Sequence, residues 1–280
     1  MNARRIGAIG AAAALAFGLA ACGSDDGGDN AGGGGDAGKK LKIGIKFDQP
    51  GLGLKKGTEV TGFDIDMAKY VAKELGTAEK DITWVQAPSP QRETLIKTGQ
   101  VDLIFATYSI TDKRKADVTF AGPYFIAGQD LLVRSDDTSI TGADSLTGKK
   151  LCSVKGSTPA QKVKDKYPGV QLLEYSTYSE CLPALTSKKV DALTTDDTIL
   201  AGYAAQAEFK GKFKLVGKPF SEENYGVGLK KGDVALCNKV TDALKKAFTD
   251  GTWQKAIDAN LGPAGYKPGP GNPPTPAACA

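Results

Sequence analysis

The sequence predicts an α/β protein in which two units of alternating strands and helices follow one another. Three observations lead to this prediction. From residue 41 onward, short apolar runs of strand length alternate with longer segments whose apolar residues recur at helical spacing. The same strand–helix cycle starts again near residue 150. With 280 residues, 41% of them hydrophobic and 24% charged, the chain is long enough to form two domains with their own cores.

The elements of the first unit end at turns that contain glycine or proline. A helix is predicted over residues 62–75 because apolar side chains recur at helical spacing and Gly76 follows as a stop. A shorter helix over residues 91–98 ends at Gly99. The strands of this unit are predicted at residues 41–47, 82–85 and 101–106.

The second unit repeats this order of elements and is followed by two closing helices. Its first helix begins at Gly156-Ser157-Thr158-Pro159, where a hydroxyl cap precedes a proline that suits the first turn. We expect the chain to cross between the units near residues 131–135 and 216–221, and to be irregular beyond residue 262, where proline and glycine dominate. The remaining elements are predicted strands at 150–154, 170–175, 190–194 and 225–229, and helices at 179–187, 198–208, 233–251 and 253–261.

Composition excludes several classes of function. Histidine is absent, which removes the commonest general base and the commonest metal ligand. The net charge of +4 is too small to indicate nucleic-acid binding, and no stripe of Lys and Arg interleaved with aromatic residues occurs. We therefore expect no metal, no other cofactor and no nucleic-acid partner. The mild excess of positive charge favours an anionic ligand.

The first 21 residues have the pattern of an export signal. Arg4 and Arg5 precede an uncharged apolar run, residues 6–21, that is short for a membrane span. The run leads into Leu19-Ala20-Ala21-Cys22, which resembles a bacterial lipobox and implies cleavage before Cys22 and a lipid anchor on its thiol. A secretory signal with an incidental cysteine is the alternative. Residues 22–40 are mostly glycine, aspartate, alanine and asparagine and are expected to form a flexible tether.

The stretch 101–125 contains the most informative polar residues. An apolar run gives way to the hydroxyl residues Thr107, Ser109 and Thr111 and then to Arg114. Arginine can bind a carboxylate through two parallel hydrogen bonds, and hydroxyls with nearby N–H groups can donate to the remaining lone pairs. These residues fit a carboxylate ligand, but a plain strand-to-helix connection with a solvated arginine fits them equally well.

Three segments together resemble a known protein family. They are GFDIDMAKYVAKELG, GQVDLIFATYSITDKRKADVTFAGPYF and KKVDALTTDD, in this order. They resemble the extracellular solute-binding proteins of ABC transporters, polar amino-acid class. The segment KFDQPGLG and the positions of Cys152 and Cys181 are similar to those of actinobacterial glutamate-binding lipoproteins. The resemblance covers residues 41–261. It implies an α/β type II clamp of the periplasmic-binding-protein kind, with two lobes that are each a mostly parallel sheet flanked by helices.

The resemblance also implies a domain organisation. Lobe 1 is expected to comprise residues 41–132 and 219–262 and lobe 2 residues 133–218, with a Pro/Gly-rich tail at 263–280. A ligand is expected in the cleft between the lobes, which would close about two crossover strands.

Export and this organisation together favour disulfide bonds, which persist outside the cytosol. If Cys22 carries lipid, the four remaining cysteines allow three pairings. We favour Cys152 with Cys181 and Cys237 with Cys279, because neither pair then joins the two lobes. Buried unpaired thiols are the alternative. Zinc is disfavoured because no two cysteines have ligand spacing and histidine is absent.

The resemblance implies roles for three residues of lobe 1. Thr107 matches a hydroxyl position that faces the α-ammonium group of an amino acid. Ser109 matches the position whose N–H and hydroxyl serve the α-carboxylate. Arg114 matches the arginine that holds the same carboxylate.

The resemblance implies a second set of ligand contacts from lobe 2. Ser157 and Thr158 match a turn that closes on the α-carboxylate from a helix N-terminus, where the helix dipole and exposed N–H groups favour an anion. Asp196 matches the acid that binds the α-ammonium group. Asp197 is the alternative, and we prefer Asp196.

Selectivity for the ligand side chain has to come from other positions. Lys46 ends the first strand where members that bind basic amino acids carry an acid, so a cation there indicates an acidic ligand. Arg92 matches an arginine that acidic amino-acid binders place against the distal carboxylate. Each could instead be a solvated surface charge. Gln49 and Tyr124 are weaker candidates for the cleft lining.

The leading hypothesis is a lipid-anchored receptor that captures glutamate and delivers it to the permease subunits of an ABC transporter. Aspartate and glutamine are alternative ligands. The protein would act as a monomer on the extracytoplasmic face of the cell membrane. Two other classes stay open, a sensor module that is not coupled to transport and a dehydratase-like enzyme on the same fold. An enzyme would need an acid or base in the cleft without an ammonium partner, and no such residue is evident, so we expect no enzyme activity.

Overall fold

Within residues 40–279, which the computed structural model describes, the chain is built on one mixed sheet of nine strands and a separate small sheet of three strands. The strands are β1 (Leu41–Ile45), β2 (Asp48–Gln49), β3 (Gly53–Lys56), β4 (Glu59–Thr61), β5 (Ile82–Gln86), β6 (Leu103–Phe105), β7 (Val118–Arg134), β8 (Lys150–Val154), β9 (Gln171–Tyr175), β10 (Ala192–Asp196), β11 (Phe213–Leu215) and β12 (Ser221–Lys230). The helices are α1 (Phe63–Glu74), α2 (Arg92–Lys97), α3 (Asp112–Lys115), α4 (Thr158–Lys166), α5 (Cys181–Thr186), α6 (Asp197–Ala204), α7 (Val234–Thr249) and α8 (Thr252–Asn260).

The first parallel group of the large sheet consists of β5, β1 and β6. Helix α1 packs on β1 and β6 and also contacts α7 and α8. It does so because Phe63, Met67 and Val71 recur at helical spacing, and all three are fully buried. The helix predicted from residue 62 to 75 is therefore present as α1.

The second parallel group consists of β10, β8 and β9. Helix α4 packs against all three of these strands, and α6 packs against β7, β10 and β11. A disulfide joins Cys152 in β8 to Cys181 at the start of α5. This bond and the disulfide between Cys237 and Cys279 are the two that the sequence favoured.

Two long antiparallel strands, β7 and β12, join the parallel groups. The alternation of strands and helices had predicted a parallel organisation, which holds for each group but not for these connections. The sequence also predicted only a crossing near residues 131–135, whereas β7 is one strand of 17 residues. Glycines and a proline within β7 locally predict interruptions of the strand. Strand β7 nevertheless stays extended because it pairs with most of the length of β12. The fold class is otherwise as predicted.

The small sheet is a further difference from the sequence prediction. After the predicted strand at 41–47 the sequence indicates only a turn that contains Pro50 and Gly51, whereas β2, β3 and β4 form an antiparallel meander around that turn. The turn lies against α6, since a Cβ atom on Gly202 would be 2.1 Å from the carbonyl oxygen of Pro50. The small sheet therefore contacts α6, which itself packs against β10 of the second strand group.

The tail beyond α8 is irregular apart from a short 3-10 turn, as expected, and is attached at several points. Besides the Cys237–Cys279 bond, the side chain of Asn272 accepts a hydrogen bond from the N–H of Ile126 (3.0 Å) and donates one to its carbonyl (2.8 Å). None of the helices within residues 40–279 has the length and apolar character needed to cross a membrane. The predicted signal, the lipidation site Cys22 and nearly all of the tether lie outside the described residues. The lobe boundaries remain a prediction.

Candidate functional site

The predicted binding residues lie at or just beyond the carboxyl ends of parallel strands or on short helices nearby. In α/β folds such strand ends form the crevice where ligands bind. Six of the eight predicted residues line one narrow pocket. These six are Arg92, Thr107, Arg114, Ser157, Thr158 and Asp196, and the lining is completed by Ser89, Pro159, Tyr178 and Ile199. The site therefore draws residues from both parallel groups.

Arg114 connects the two strand groups at this pocket. Its Nη1 donates to the carbonyl oxygen of Ser109 (2.7 Å), and its Nη2 donates to the carbonyl oxygen of Gly156 (3.2 Å) across the cleft. Its Nε lies 3.5 Å from the carboxylate of Glu93. The side chain is only 7% exposed, so the guanidinium is held in a fixed orientation beside the pocket. Such a group can bind a carboxylate in one defined plane.

Thr107 adopts a backbone conformation that is unusual for a residue with a side chain. Its φ angle is +47°, in the left-handed region that costs roughly 1–2 kcal/mol for a non-glycine residue. The buried carboxylate of Asp64 accepts a hydrogen bond from the Thr107 N–H (2.9 Å) and another from the Tyr124 hydroxyl (2.7 Å). Asp64 therefore holds Thr107 in this conformation. Burial raises the pKa of Asp64 to about 6, while the two hydrogen bonds act in the opposite direction.

Ser157 and Thr158 stand at the N-terminus of α4, as the sequence predicted. The Ser157 side chain caps the helix by accepting a hydrogen bond from the N–H of Ala160 (3.1 Å). The Thr158 hydroxyl lies 3.1 Å from the hydroxyl of Ser109, which follows β6 in the first strand group. The helix start and the β6 end therefore meet across the pocket. An anion placed between them would face the positive end of the helix dipole.

Asp196 and Asp197 have different surroundings although they are adjacent. One carboxylate oxygen of Asp196 accepts a hydrogen bond from the Tyr225 hydroxyl (2.6 Å), and the other, Oδ1, is buried and has no partner among residues 40–279. Burial, followed by the nearby charge of Glu223, raises the pKa of Asp196 well above its usual value. Asp197 instead accepts hydrogen bonds from the N–H groups of Gly128 and Thr198, outside the pocket. An unpartnered buried carboxylate oxygen is suited to bind a cationic group.

Arg92 is buried in the wall of the pocket, with 3% of its surface exposed. Its Nε donates to the carbonyl oxygen of Ala87 (3.3 Å), and its terminal nitrogens make no hydrogen bond to any of residues 40–279. Arg92 and Arg114 both lie over the Tyr108 ring, with guanidinium carbons 5.0 and 4.9 Å from its centroid. Burial, and then the like charge of Arg114, lowers the pKa of Arg92. A second anionic group of a ligand would offset this repulsion.

Lys46 is also buried but is not among the residues that line the pocket. Its ammonium group lies 3.5 Å from the Asp48 carboxylate and 5.9 Å from the centroid of the Tyr178 ring, which does line the pocket. Burial lowers the pKa of Lys46, and the charge of Arg92 acts in the same direction. Lys46 is thus not a solvated surface charge, and its ammonium group lies near Tyr178 and Arg92, two residues that line the pocket.

Several residues of the site were missed by reading the sequence. Asp64, Tyr178, Glu223 and Tyr225 all contact predicted binding residues or line the pocket. A signal for Glu223 existed, because it alternates with Tyr225 and so shares its inward face of the strand. Nothing local distinguished Tyr178 from a core aromatic. Of the weaker candidates, Tyr124 donates a hydrogen bond to Asp64, and the side-chain oxygen of Gln49 lies 3.3 Å from the Thr107 hydroxyl.

No group of three or more acidic, cysteine or histidine side chains within residues 40–279 could hold a metal ion. The chemistry of the site is that of paired charges. Two arginines, a helix N-terminus and hydroxyls can bind carboxylates, and a buried carboxylate can bind an ammonium group. This combination matches the charged groups of an amino acid.

Comparisons with known proteins agree with this description. Residues 41–263 match the family model of bacterial extracellular solute-binding proteins, family 3. The chain is 49% identical over 270 residues to the glutamate-binding protein GluB of Corynebacterium glutamicum, covering 92% of this chain and 90% of that protein. It is 40% identical over 219 residues to the glutamine-binding protein GlnH of an ABC transporter in Bacillus subtilis, covering 77% and 79%. The fold is similar to that of an ancestral arginine-binding protein bound to glutamine, with a TM-score of 0.74 and 34% identity over 80% of this chain and 98% of that one.

Proposed function

The chain belongs to the bacterial extracellular solute-binding proteins of family 3, and from this premise we propose that it captures L-glutamate in its cleft and delivers it to the permease subunits of an ABC transporter. The observation that carries the proposal is that Arg92, Arg114 and Asp196, all buried, line one pocket. Two cations and one anion, each able to contact a ligand, match the two carboxylates and the ammonium group of glutamate.

The α-carboxylate of the ligand is assigned to Arg114 and to the N-terminus of α4. Arg114 is oriented by the carbonyl groups of Ser109 and Gly156, and Ser157 and Thr158 begin the helix opposite. A carboxylate between them would receive charge-assisted hydrogen bonds from the guanidinium and backbone N–H groups of the helix.

The α-ammonium group is assigned to Asp196 and the Thr107 hydroxyl. The unpartnered Oδ1 of Asp196 supports this role, because a buried carboxylate oxygen without a donor is costly until a ligand supplies one. Binding of an ammonium group would favour the ionised form of Asp196 and so offset the burial that raises its pKa.

The distal carboxylate is assigned to Arg92, and the nearby Lys46 contributes a second positive charge. The terminal nitrogens of Arg92, which have no hydrogen-bond partner within residues 40–279, support this assignment. A neutral side chain such as that of glutamine could accept from the same donors but would not neutralise the buried cations. A basic side chain would be repelled by Arg92 and Lys46. We therefore expect glutamate to bind more tightly than glutamine, and both more tightly than lysine or arginine.

The glutamate-binding and glutamine-binding relatives support this substrate class and the coupling to transport. We further propose that the protein is exported, anchored by lipid at Cys22 and monomeric. We also propose that it closes its two lobes, with boundaries near residues 132 and 219, over the ligand. Closure would act through β7 and β12, which connect the two strand groups.

Isothermal titration calorimetry of the purified protein with the common amino acids at pH 7 tests the proposal. We expect tight binding of glutamate, weaker binding of glutamine and aspartate, and weak or undetectable binding of basic amino acids. Binding of a basic amino acid more tightly than any acidic or amide one would contradict the proposed ligand.

A further inference from the structure

Gly202 lies in the last turn of α6, where a glycine is unfavourable for the helix itself. Glycine destabilises a helix relative to alanine because its backbone loses more conformational freedom on folding. The φ angle of Gly202 is not positive, so the backbone does not require glycine there, in contrast to Gly156 with its φ of +75°. The absence of a side chain at Gly202 therefore has to be explained by what packs against α6.

The 48–50 segment, which consists of β2 and Pro50, packs against Gly202 and Tyr203. A Cβ atom on Gly202 would lie 2.1 Å from the carbonyl oxygen of Pro50, well within the 3.0 Å at which an atom has to move. The Tyr203 hydroxyl donates a hydrogen bond to the carbonyl oxygen of Asp48 (2.6 Å) and lies 3.2 Å from its carboxylate. Only 1% of the Tyr203 surface is exposed. Two consecutive residues of α6 therefore contact the backbone of this segment.

The 48–50 segment cannot move away from α6 without breaking other hydrogen bonds. The carbonyl oxygen of Gln49 accepts a hydrogen bond from the N–H of Leu52 (3.1 Å). The carbonyl oxygen of Gly51 accepts one from the N–H of Phe63 at the start of α1 (3.0 Å). Because the segment is fixed at both points, a methyl group added on α6 would displace the helix rather than the segment.

This contact joins the two strand groups outside the ligand pocket. The small sheet packs on α1, which packs on β1 and β6 of the first group, whereas α6 packs on β10 of the second group. Among residues 40–279, those that line the pocket include neither Gly202 nor Tyr203 nor any residue of the 48–50 segment. The contact therefore holds the groups together at a place that does not belong to the pocket wall.

We propose that Gly202 and Tyr203 are positioning residues of the amino-acid site, which bind the 48–50 segment when the two strand groups close over a ligand. The inference rests on the proposed function, because closure belongs to that proposal. A contact that forms only on closure favours the closed form whichever ligand is bound. Gly202 and Tyr203 thus raise the affinity for glutamate and glutamine by the same factor.

The variant Gly202→Ala separates closure from folding, because its two effects have opposite signs. Alanine is the better helix former, so the ligand-free protein should melt about 2–4 °C higher than wild type. In the closed form the added methyl group overlaps the Pro50 carbonyl, and overpacking of this kind corresponds to about a 10- to 100-fold loss of affinity. Thermal unfolding without ligand and calorimetry with glutamate and glutamine at pH 7 measure the two effects.

A control variant and a double-mutant cycle show whether the loss arises at this contact. Gly262→Ala is the matched control, since a Cβ atom on Gly262 meets no atom within 4 Å, and it should bind like wild type. Tyr203→Phe removes only the hydroxyl and should weaken both ligands by about three- to tenfold, the value of one hydrogen bond. Added to Gly202→Ala, it should cost less than about a further twofold, because that hydrogen bond is already lost. Losses that multiply would show independent roles and overturn the inference.

The experiment also separates this inference from the proposed function. A wild-type protein that binds no amino acid would refute both, whereas binding of a different amino acid would refute only the ligand, and the same variants then test closure with it. An unchanged affinity in Gly202→Ala, or a lower melting temperature of its ligand-free form, would overturn the inference alone. A loss confined to glutamate would also contradict it. If Gly202→Ala does not fold, an unchanged affinity in Tyr203→Phe would still overturn the inference.

Discussion

Replacing Arg92 by methionine should change which amino acid is bound while leaving the fold largely intact. Methionine has a similar length and no charge, so the wall of the pocket stays filled. The change removes the hydrogen bond from Nε to the Ala87 carbonyl and the contact with the Tyr108 ring. It also removes the repulsion from Arg114 that lowers the pKa of Arg92. These effects on stability have opposite signs, so we expect a small change in melting temperature.

The effect on binding follows from the burial of Arg92, whose side chain is only 3% exposed. Removing the partner of a buried charge costs about 3–5 kcal/mol, which corresponds to a loss of about 100-fold to several thousandfold for glutamate. Glutamine loses only hydrogen bonds from a charged donor to a neutral acceptor. That loss is worth about 1.5–3 kcal/mol, or about 10- to 100-fold. The preference for glutamate over glutamine should therefore fall by about tenfold or more.

Calorimetry at pH 7 with glutamate, glutamine and aspartate measures this change. Lys97→Met is the control, since Lys97 lies on the same helix but is half exposed and paired with Asp117 at the surface. The control should keep both affinities. An Arg92→Met variant that loses glutamate and glutamine by the same factor, or that still binds glutamate as tightly as wild type, would refute the assignment of the distal carboxylate to Arg92.

Three further changes test other parts of the structure. Asp196→Asn should weaken the binding of glutamate and of glutamine alike, on the order of 100-fold, because both ligands lose the partner of their ammonium group. It should also raise the melting temperature at pH 7, since burial of that carboxylate is costly; retained affinity would contradict the role. For Asp64, whose pKa is raised to about 6 from 3.8, the native state binds a proton that the unfolded state has lost. Its contribution to stability is therefore full below about pH 4 and is lost as the pH rises to about 6, by roughly 3 kcal/mol in total. The free energy of unfolding in urea should therefore fall between pH 4 and 7 by about 3 kcal/mol less in Asp64→Asn than in wild type. The same pH dependence in both proteins would show that the carboxyl titrates normally. Replacing Cys152 and Cys181 by alanine opens a loop with a sequence separation of 29 residues and should lower the free energy of unfolding by about 3.5 kcal/mol. A change below 1 kcal/mol would mean that the bond adds little constraint.

Most elements of the fold could be predicted because local patterns determine them. The apolar spacing around Phe63 and Met67 placed α1, and the hydroxyl–proline signal at Ser157 placed the start of α4. The errors lie where a long-range contact overrides a local signal. Strand β7 continues through glycines and a proline because β12 pairs with it, and no sequence pattern within β7 indicates that pairing.

The candidate site was predicted less completely than the fold. Residue types and family resemblance singled out Arg114 and Asp196, and both line the pocket. For Lys46 the sequence left a ligand contact and a solvated surface charge both open, and the structure shows it buried, paired with Asp48 and near the Tyr178 ring. Side-chain burial depends on what packs over a residue, and sequence position does not contain that information.

The sequence by itself determined the alternation of strands and helices and the kinds of charged group available to a ligand. These properties depend on short-range periodicity and on side-chain chemistry. Only the tertiary structure decided that the unpartnered oxygen belongs to Asp196 rather than Asp197, and that Glu223 reaches Thr158 from a different part of the chain. Hydrogen-bond partners separated by 65 positions meet because the sheet brings β12 beside α4, and such proximity is a property of the packed fold.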